Sequence, residues 1–280
     1  TVATNFGDAI RGIAQVLDRY GARASWEVVY GTAQGFCEYE GENHIFRRLL
    51  EAGHEVGLHV HNHAHYDRDY QALHDACGLD PSVTSGLIVG TANLPDAEAH
   101  ARVAAAIRTN QGFGVQVGTI NMSRNAFMQR CDGQIGEGND MWQATGNLMF
   151  PWRPDLETPN VCADDPAGDF VLVDHVDMAL WTGRAGNQQT DLFSQADFDR
   201  LRALFDAALN YMEENRPERV AAWGFVTHVH EFMPGSQGEN PPDEATLALF
   251  DAFWSYVAQQ AAAGRVIFVT AGEIAEAAFP

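Results

Sequence analysis

Five of the eleven histidines lie between Gly53 and His65, in the run Gly-His-Glu-Val-Gly-Leu-His-Val-His-Asn-His-Ala-His. Val56, Leu58 and Val60 alternate with other residues at the period of a strand, which turns His59 and His61 to the face opposite the valines. Past Asn62 the chain leaves the strand and brings His63 round. His59 and His63 are four residues apart, so a tight turn beginning at His59 can aim both imidazoles at one point. Neutral imidazole is the commonest side-chain metal ligand, and two at this spacing suit zinc or a similar divalent ion. A solvated polar turn is the competing reading.

A second cluster closes Trp223-Gly-Phe-Val-Thr-His-Val-His-Glu-Phe232, where His228 and His230 follow an apolar run. A histidine leaving a buried strand for a loop is well placed to move a proton, though many such histidines are only solvated. Asp174, His175 and Asp177 follow another apolar run, Asp-Phe-Val-Leu-Val-Asp over Asp169 to Asp174. Carboxyl ends of strands are where α/β folds gather their sites.

The elements that must position these groups alternate. Asp8 to Tyr20 reads as an amphipathic helix stopped by Gly21, Arg23 to Tyr30 as a strand, and Asn43 to Ala52 as a short helix closed by Gly53. Helix, strand, helix, strand with short connections implies parallel strands with crossover helices. The middle is less regular. Helices are expected over Tyr66 to Ala76 and Pro95 to Thr109, and strands over Ser85 to Val89 and Gly114 to Asn121. Asn125 to Trp152 reads as loop. Ser194 to Glu214 and Pro242 to Ala263 read as long helices, Val220 to His228 and Arg265 to Thr270 as strands, and Ala271 to Ala278 as the last helix.

Gly53-His-Glu-Val-Gly-x-His59-x-x-x-His63 resembles the second motif of the polysaccharide deacetylases, in which the two histidines hold a catalytic divalent metal. Val60 replaces the usual Ser or Thr. Leu17-x-x-Tyr20-Gly21 and Arg23-Ala-Ser-Trp26 are similar to that family's opening helix and next strand. Phe150-Pro-Trp-Arg153-Pro154 resembles its third motif, whose Arg pairs with the base carboxylate. Thr227-His228-x-x-Glu231-Phe232 resembles a late motif whose histidine is the general acid, and Val266 to Ile274 resembles its closing segment.

This resemblance implies a distorted (β/α) barrel and removal of acetyl groups from a polysaccharide or oligosaccharide. His59 and His63 would hold the metal and His228 would be the general acid. Arg153 would orient the base, and Asp174 would orient or tune His228. About residues 70 to 145 carry no such likeness and read as an insertion in a single domain. The family's Asp-Asp motif, source of a third ligand and of the base, is absent near Thr1. Either its strand lies upstream, or the chain is an inactive barrel that binds carbohydrate or serves a secreted assembly.

The chain carries 38 acidic residues against 17 basic ones, for a net charge of −21, and every basic residue is Arg. Such a surface repels nucleic acid and anionic membranes, and no apolar run is long enough to span a bilayer. The acidity suits a salt-adapted or secreted protein. Cys37, Cys77, Cys131 and Cys162 form no C-x-x-C pair, which excludes a zinc ribbon. Proximity favours Cys37 with Cys77 and Cys131 with Cys162 if the protein is exported to an oxidising compartment; four buried thiols are the alternative.

Overall fold

The structure is a computed structural model that describes residues 2–60, 66–79, 84–87, 96–120, 142–158, 160–177, 192–215, 218–235 and 239–280. Helix α1 (Val2–Arg19) buries Ile10, Ile13 and Leu17 and stops at Gly21, whose φ of 66° favours glycine. The Ala22 amide there returns to the Leu17 carbonyl at 3.0 Å, closing the last turn. Strand β1 (Ser25–Val28) and helices α2 (Tyr30–Glu40) and α3 (Ile45–Glu51) lead to β2 (Glu55–Val60). Then come α4 (Tyr66–Cys77), β3 (Thr84–Leu87), α5 (Asp96–Gly112) and β4 (Val117–Ile120).

A short α6 (Trp142–Thr145) precedes a small hairpin, β5 (Pro154–Asp155) with β6 (Asn160–Asp164). Strands β7 (Val171–Asp174) and β8 (Val176–Asp177) follow, then α7 (Gln195–Asn215) and β9 (Phe225–Val226). Helices α8 (Glu244–Ala262) and α9 (Ala271–Ala278) end the chain.

The expected parallel alternation is present. Five strands pair in the order β1-β2-β3-β4-β7, all parallel, and β8 pairs parallel with β9. Two of the five, β3 and β4, come from the stretch without family likeness. On one face Val28, Val56 and Leu58 pack under helices with Ala33, Phe36, Phe46, Leu49 and Leu73. On the other, Val117, Val171 and Val173 pack with Ala222, Ala271 and Ala275. The start of α9 covers the amino-terminal ends of β1 and β2: the Gly272 amide donates to Glu55 Oε1 at 3.0 Å and the Ala271 amide to Ser25 Oγ at 3.4 Å. The polar groups farther along these strands therefore lie on the carboxyl side of the α9 contact. A second core joins α1, α7 and α8 through Leu17, Leu201, Phe205, Phe250 and Phe253.

Three expectations need correction. Helix α2 reads in the sequence as a connection, because Gly31 and Gly35 weaken its pattern; burial of Ala33, Phe36 and Cys37 holds it in place. Arg265 to Thr270 is not a strand. Val266 and Phe268 pack into the second core and Ile267 is 82% exposed, so the alternation persists without a ladder. Of Val220 to His228 only Phe225 and Val226 pair. Cys37 and Cys77 form the expected disulfide between α2 and α4, with Cα atoms 5.1 Å apart. Cys162 is disulfide-bonded too, and its expected partner Cys131 lies outside the described residues.

Candidate active site

Parallel register fixes which side chains share a face. Glu27 lies beside Gly57, and His59 beside Gly86, which lies beside Thr119. Gly57 and His59 are two apart on one strand, so Glu27, His59 and Thr119 point to one side. His59 Nδ1 is 3.1 Å from Glu27 Oε2, and the Thr119 hydroxyl donates to Glu27 Oε1. β1 and β4 are separated by three strand spacings, roughly 14 Å in a flat sheet, which is more than a glutamate and a threonine span. The sheet therefore curls with this face inside. The glycines at 57 and 86 leave the concave side open for the contact.

The Glu27 and His59 side chains are only 14% and 12% exposed. Burial pushes the Glu27 carboxyl up, but the hydrogen bond and charge of His59, the charge of His175 and the Thr119 hydroxyl outweigh it and hold it below the ordinary carboxylate value. Glu27 is thus an ionised acceptor, and His59 must donate to it through Nδ1. In the neutral form of the ring, with Nδ1–H donated to Glu27, the lone pair sits on Nε2, the arrangement usual for metal-binding histidines backed by a carboxylate. His59 can thus offer one nitrogen to a divalent ion. His63 lies outside the described residues.

His228 follows β9, which runs parallel to β8, so it leaves at the carboxyl end of its strand. It opens a tight turn, Val229–Phe232. Glu231, 2% exposed, accepts from the His228 amide at 2.6 Å and from the Thr227 hydroxyl at 2.7 Å through Oε2. His228 Nδ1 is 3.4 Å from Glu231 Oε1, and the His228 ring stacks on His230 with centroids 5.1 Å apart. One ligand atom each from His228, His230 and Glu231 lie within 4.8 Å of one another, close enough to share an ion.

The remaining candidates are placed elsewhere on the fold. The Arg153 amide donates to Asp164 Oδ1 at 3.0 Å, its guanidinium donates to the Pro166 carbonyl at 2.6 Å, and its Cζ lies 4.2 Å from the centre of the Phe279 ring. The pairing with a base carboxylate expected of Arg153 is not among these contacts. Asp174 is buried, on the strand face opposite Val173, and its Oδ2 accepts from the Leu148 amide at 2.6 Å. Sequence reasoning missed Glu27, Thr119 and Glu231. Glu27 left a signal: a carboxylate between Trp26 and Val28 in a short apolar strand has to face something polar.

The sequence matches no protein-family model and no curated protein sequence. In three dimensions the chain is similar to a crystal structure from Mycobacterium smegmatis assigned as a polysaccharide deacetylase. The TM-score is 0.56 at 18% identity, covering 99% of this chain and 79% of that one. The chain has a deacetylase-like α/β fold.

Proposed function

We propose that this protein is a metal-dependent hydrolase that removes acetyl groups from the nitrogen or oxygen of a polysaccharide or oligosaccharide. What supports it is the part-buried Glu27, His59 and Thr119 constellation on the concave side of a curled parallel sheet, in a chain with a deacetylase-like fold. The finer reading of the fold is a distorted barrel with its site at the carboxyl mouth.

In this reading His59 and His63 hold the divalent ion, zinc by preference. Such an ion supplies Lewis acidity toward the acetyl oxygen and lowers the pKa of water. His228, free to move a proton only if it is not itself a ligand, gives one to the departing nitrogen, leaving a free amine and acetate. Glu231 fixes the turn that aims it. Asp174, whose expected role is to orient or tune His228, holds the Leu148 amide, and Arg153, whose expected role is to orient the base, holds the Pro166 carbonyl. The acidic surface and the disulfide suit a secreted or cell-surface protein acting on acetylated carbohydrate.

The test separates metal from proton transfer. Zinc-loaded protein is incubated with acetylated amino-sugar oligomers, and acetate release is measured beside metal content. His59→Ala is expected to lose the ion and remain folded. His228→Ala is expected to keep it and lose roughly 10²–10⁴-fold in turnover, as when a general acid is removed. Loss of the ion in His228→Ala but not in His59→Ala would move the metal to the His228, His230 and Glu231 group and refute both roles. Carbohydrate binding with no acetate from the unmutated protein would make it a binding barrel.

A further inference from the structure

We infer that Glu27 is a positioning residue, whose carboxylate holds the His59 ring in the Nδ1–H form and turns Nε2 toward a divalent ion. This rests on the reading of His59 as a metal ligand. Glu27 comes from β1, the neighbour of the strand that carries His59, and is pinned at both oxygens: Oε2 by His59 Nδ1 at 3.1 Å and Oε1 by the Thr119 hydroxyl of β4. A catalytic base or a direct ligand has to present an oxygen to water or to the ion. A carboxylate held between an imidazole and a hydroxyl, with 14% of its side chain exposed, is built instead to fix what it touches.

The placement has a steric condition that the chain meets. Glu27 can lean over β2 and β3 to reach Thr119 because the residues registered beside it and beside His59 are Gly57 and Gly86. A ring held on one side by an ionic acceptor loses rotational freedom and gains basicity at the other nitrogen, and both effects strengthen metal binding. A tie between strands alone would need neither an imidazole nor a particular tautomer.

The experiment uses the full chain and has two readouts besides turnover. On metal-free protein at pH 8, long-range ¹H–¹⁵N correlation of the His59 ring is expected to show the proton on Nδ1. Glu27→Gln keeps an acceptor for that proton and should keep the tautomer. Glu27→Leu should release the ring to the Nε2–H form. Titration with Co²⁺, followed by its visible bands and by calorimetry, should give affinity in the order wild type, Glu27→Gln, Glu27→Leu. The last is expected to lose about 10–100-fold, as is usual when an outer partner of a metal-bound histidine is removed.

Wild-type protein with the His59 proton on Nε2, or on both nitrogens, at pH 8 overturns the inference without any variant, so poor folding of Glu27→Leu does not protect it. Glu27 variants that bind Co²⁺ as tightly as wild type overturn it while leaving the metal site intact. Wild-type protein that binds Co²⁺ no better than His59→Ala overturns the metal reading itself, and the positioning role with it.

Discussion

His54, the histidine inside the Gly-His-Glu-Val-Gly motif, should behave as a structural rivet whose contribution fades in acid. Its side chain is fully buried. Nδ1 accepts from the Ala24 amide at 3.0 Å, Nε2 donates to Asp18 Oδ1 at 3.2 Å, and its ring meets the edge of Trp26 at 6.0 Å. It thereby ties α1, β1 and the start of β2 together. His54→Phe keeps a ring of similar size against Trp26 but leaves the Ala24 amide without its acceptor, which costs about 1–3 kcal/mol for a buried donor. The Asp18 side chain is 48% exposed and rehydrates, so that bond adds less than ~1 kcal/mol. The expected loss at pH 7.5 is about 1.5–3 kcal/mol, read from urea unfolding followed by circular dichroism.

The pH dependence has a definite sign. Burial lowers the His54 pKa below 6.5, and the opposing pull of Asp18 does not restore it, so the contact is a hydrogen bond from a neutral ring. The unfolded chain takes up a proton as pH falls through 6.5 while the folded ring stays neutral. Stability from His54 is therefore complete above that value and declines below it, by at most ~1.4 kcal/mol per pH unit. The other histidines are common to both proteins and cancel in the difference. The gap between wild type and His54→Phe should narrow from pH 7.5 to pH 5.5. A gap that stays constant or widens on acidification would mean that the ring is charged in the folded state, and would refute this assignment.

Two further perturbations test the framework around the site. Gly146 has a φ of 85°, and a Cβ there would lie 2.8 Å from Val176 Cγ2, next to His175; Gly146→Ala should lose roughly 2–4 kcal/mol in urea unfolding, and an unchanged midpoint would refute the close approach. Cys37 and Cys77 close a loop of 40 residues, so Cys37→Ser with Cys77→Ser should lose up to roughly 4 kcal/mol, and reductant should lower the wild-type midpoint by more than that of the variant, which keeps the Cys162 bridge; shifts of equal size would refute an intact Cys37–Cys77 bridge.

Structure is legible in the sequence where the chain states it locally. The glycine stop of α1, the alternation of β2, the apolar stripe of α7 and the spans of α8 and α9 all follow from nearby residues, and the structure matches them within a few residues. Helix α2 is not legible, since Gly31 and Gly35 dilute its pattern and its stability comes from Phe36, Cys37 and the partner at Cys77. The hairpin of β5 and β6 has short strands with little periodicity to read. At the site, spacing alone points to His59. It does not point to Glu27 and Thr119, because their contact joins residues 92 apart and exists only if the sheet curls.

That curl gives the motif a physical meaning beyond its histidines. Gly53 turns the chain at a φ of 87°, and His54 then locks the turn to β1 through Ala24. Glu55 is caught by the Gly272 amide of α9, which sets how deep β2 begins above that helix. Gly57 removes a side chain beside Glu27, and two residues later His59 arrives on the same face, within reach of that carboxylate. Strand period two and parallel register together require this order: a one-residue slip would turn His59 under the helices and bring Leu58 to Glu27. Each polar residue of the motif therefore fixes the position of the next, and the chemistry proposed for His59 depends on an anchor, a helix contact and a missing side chain as much as on the imidazole itself.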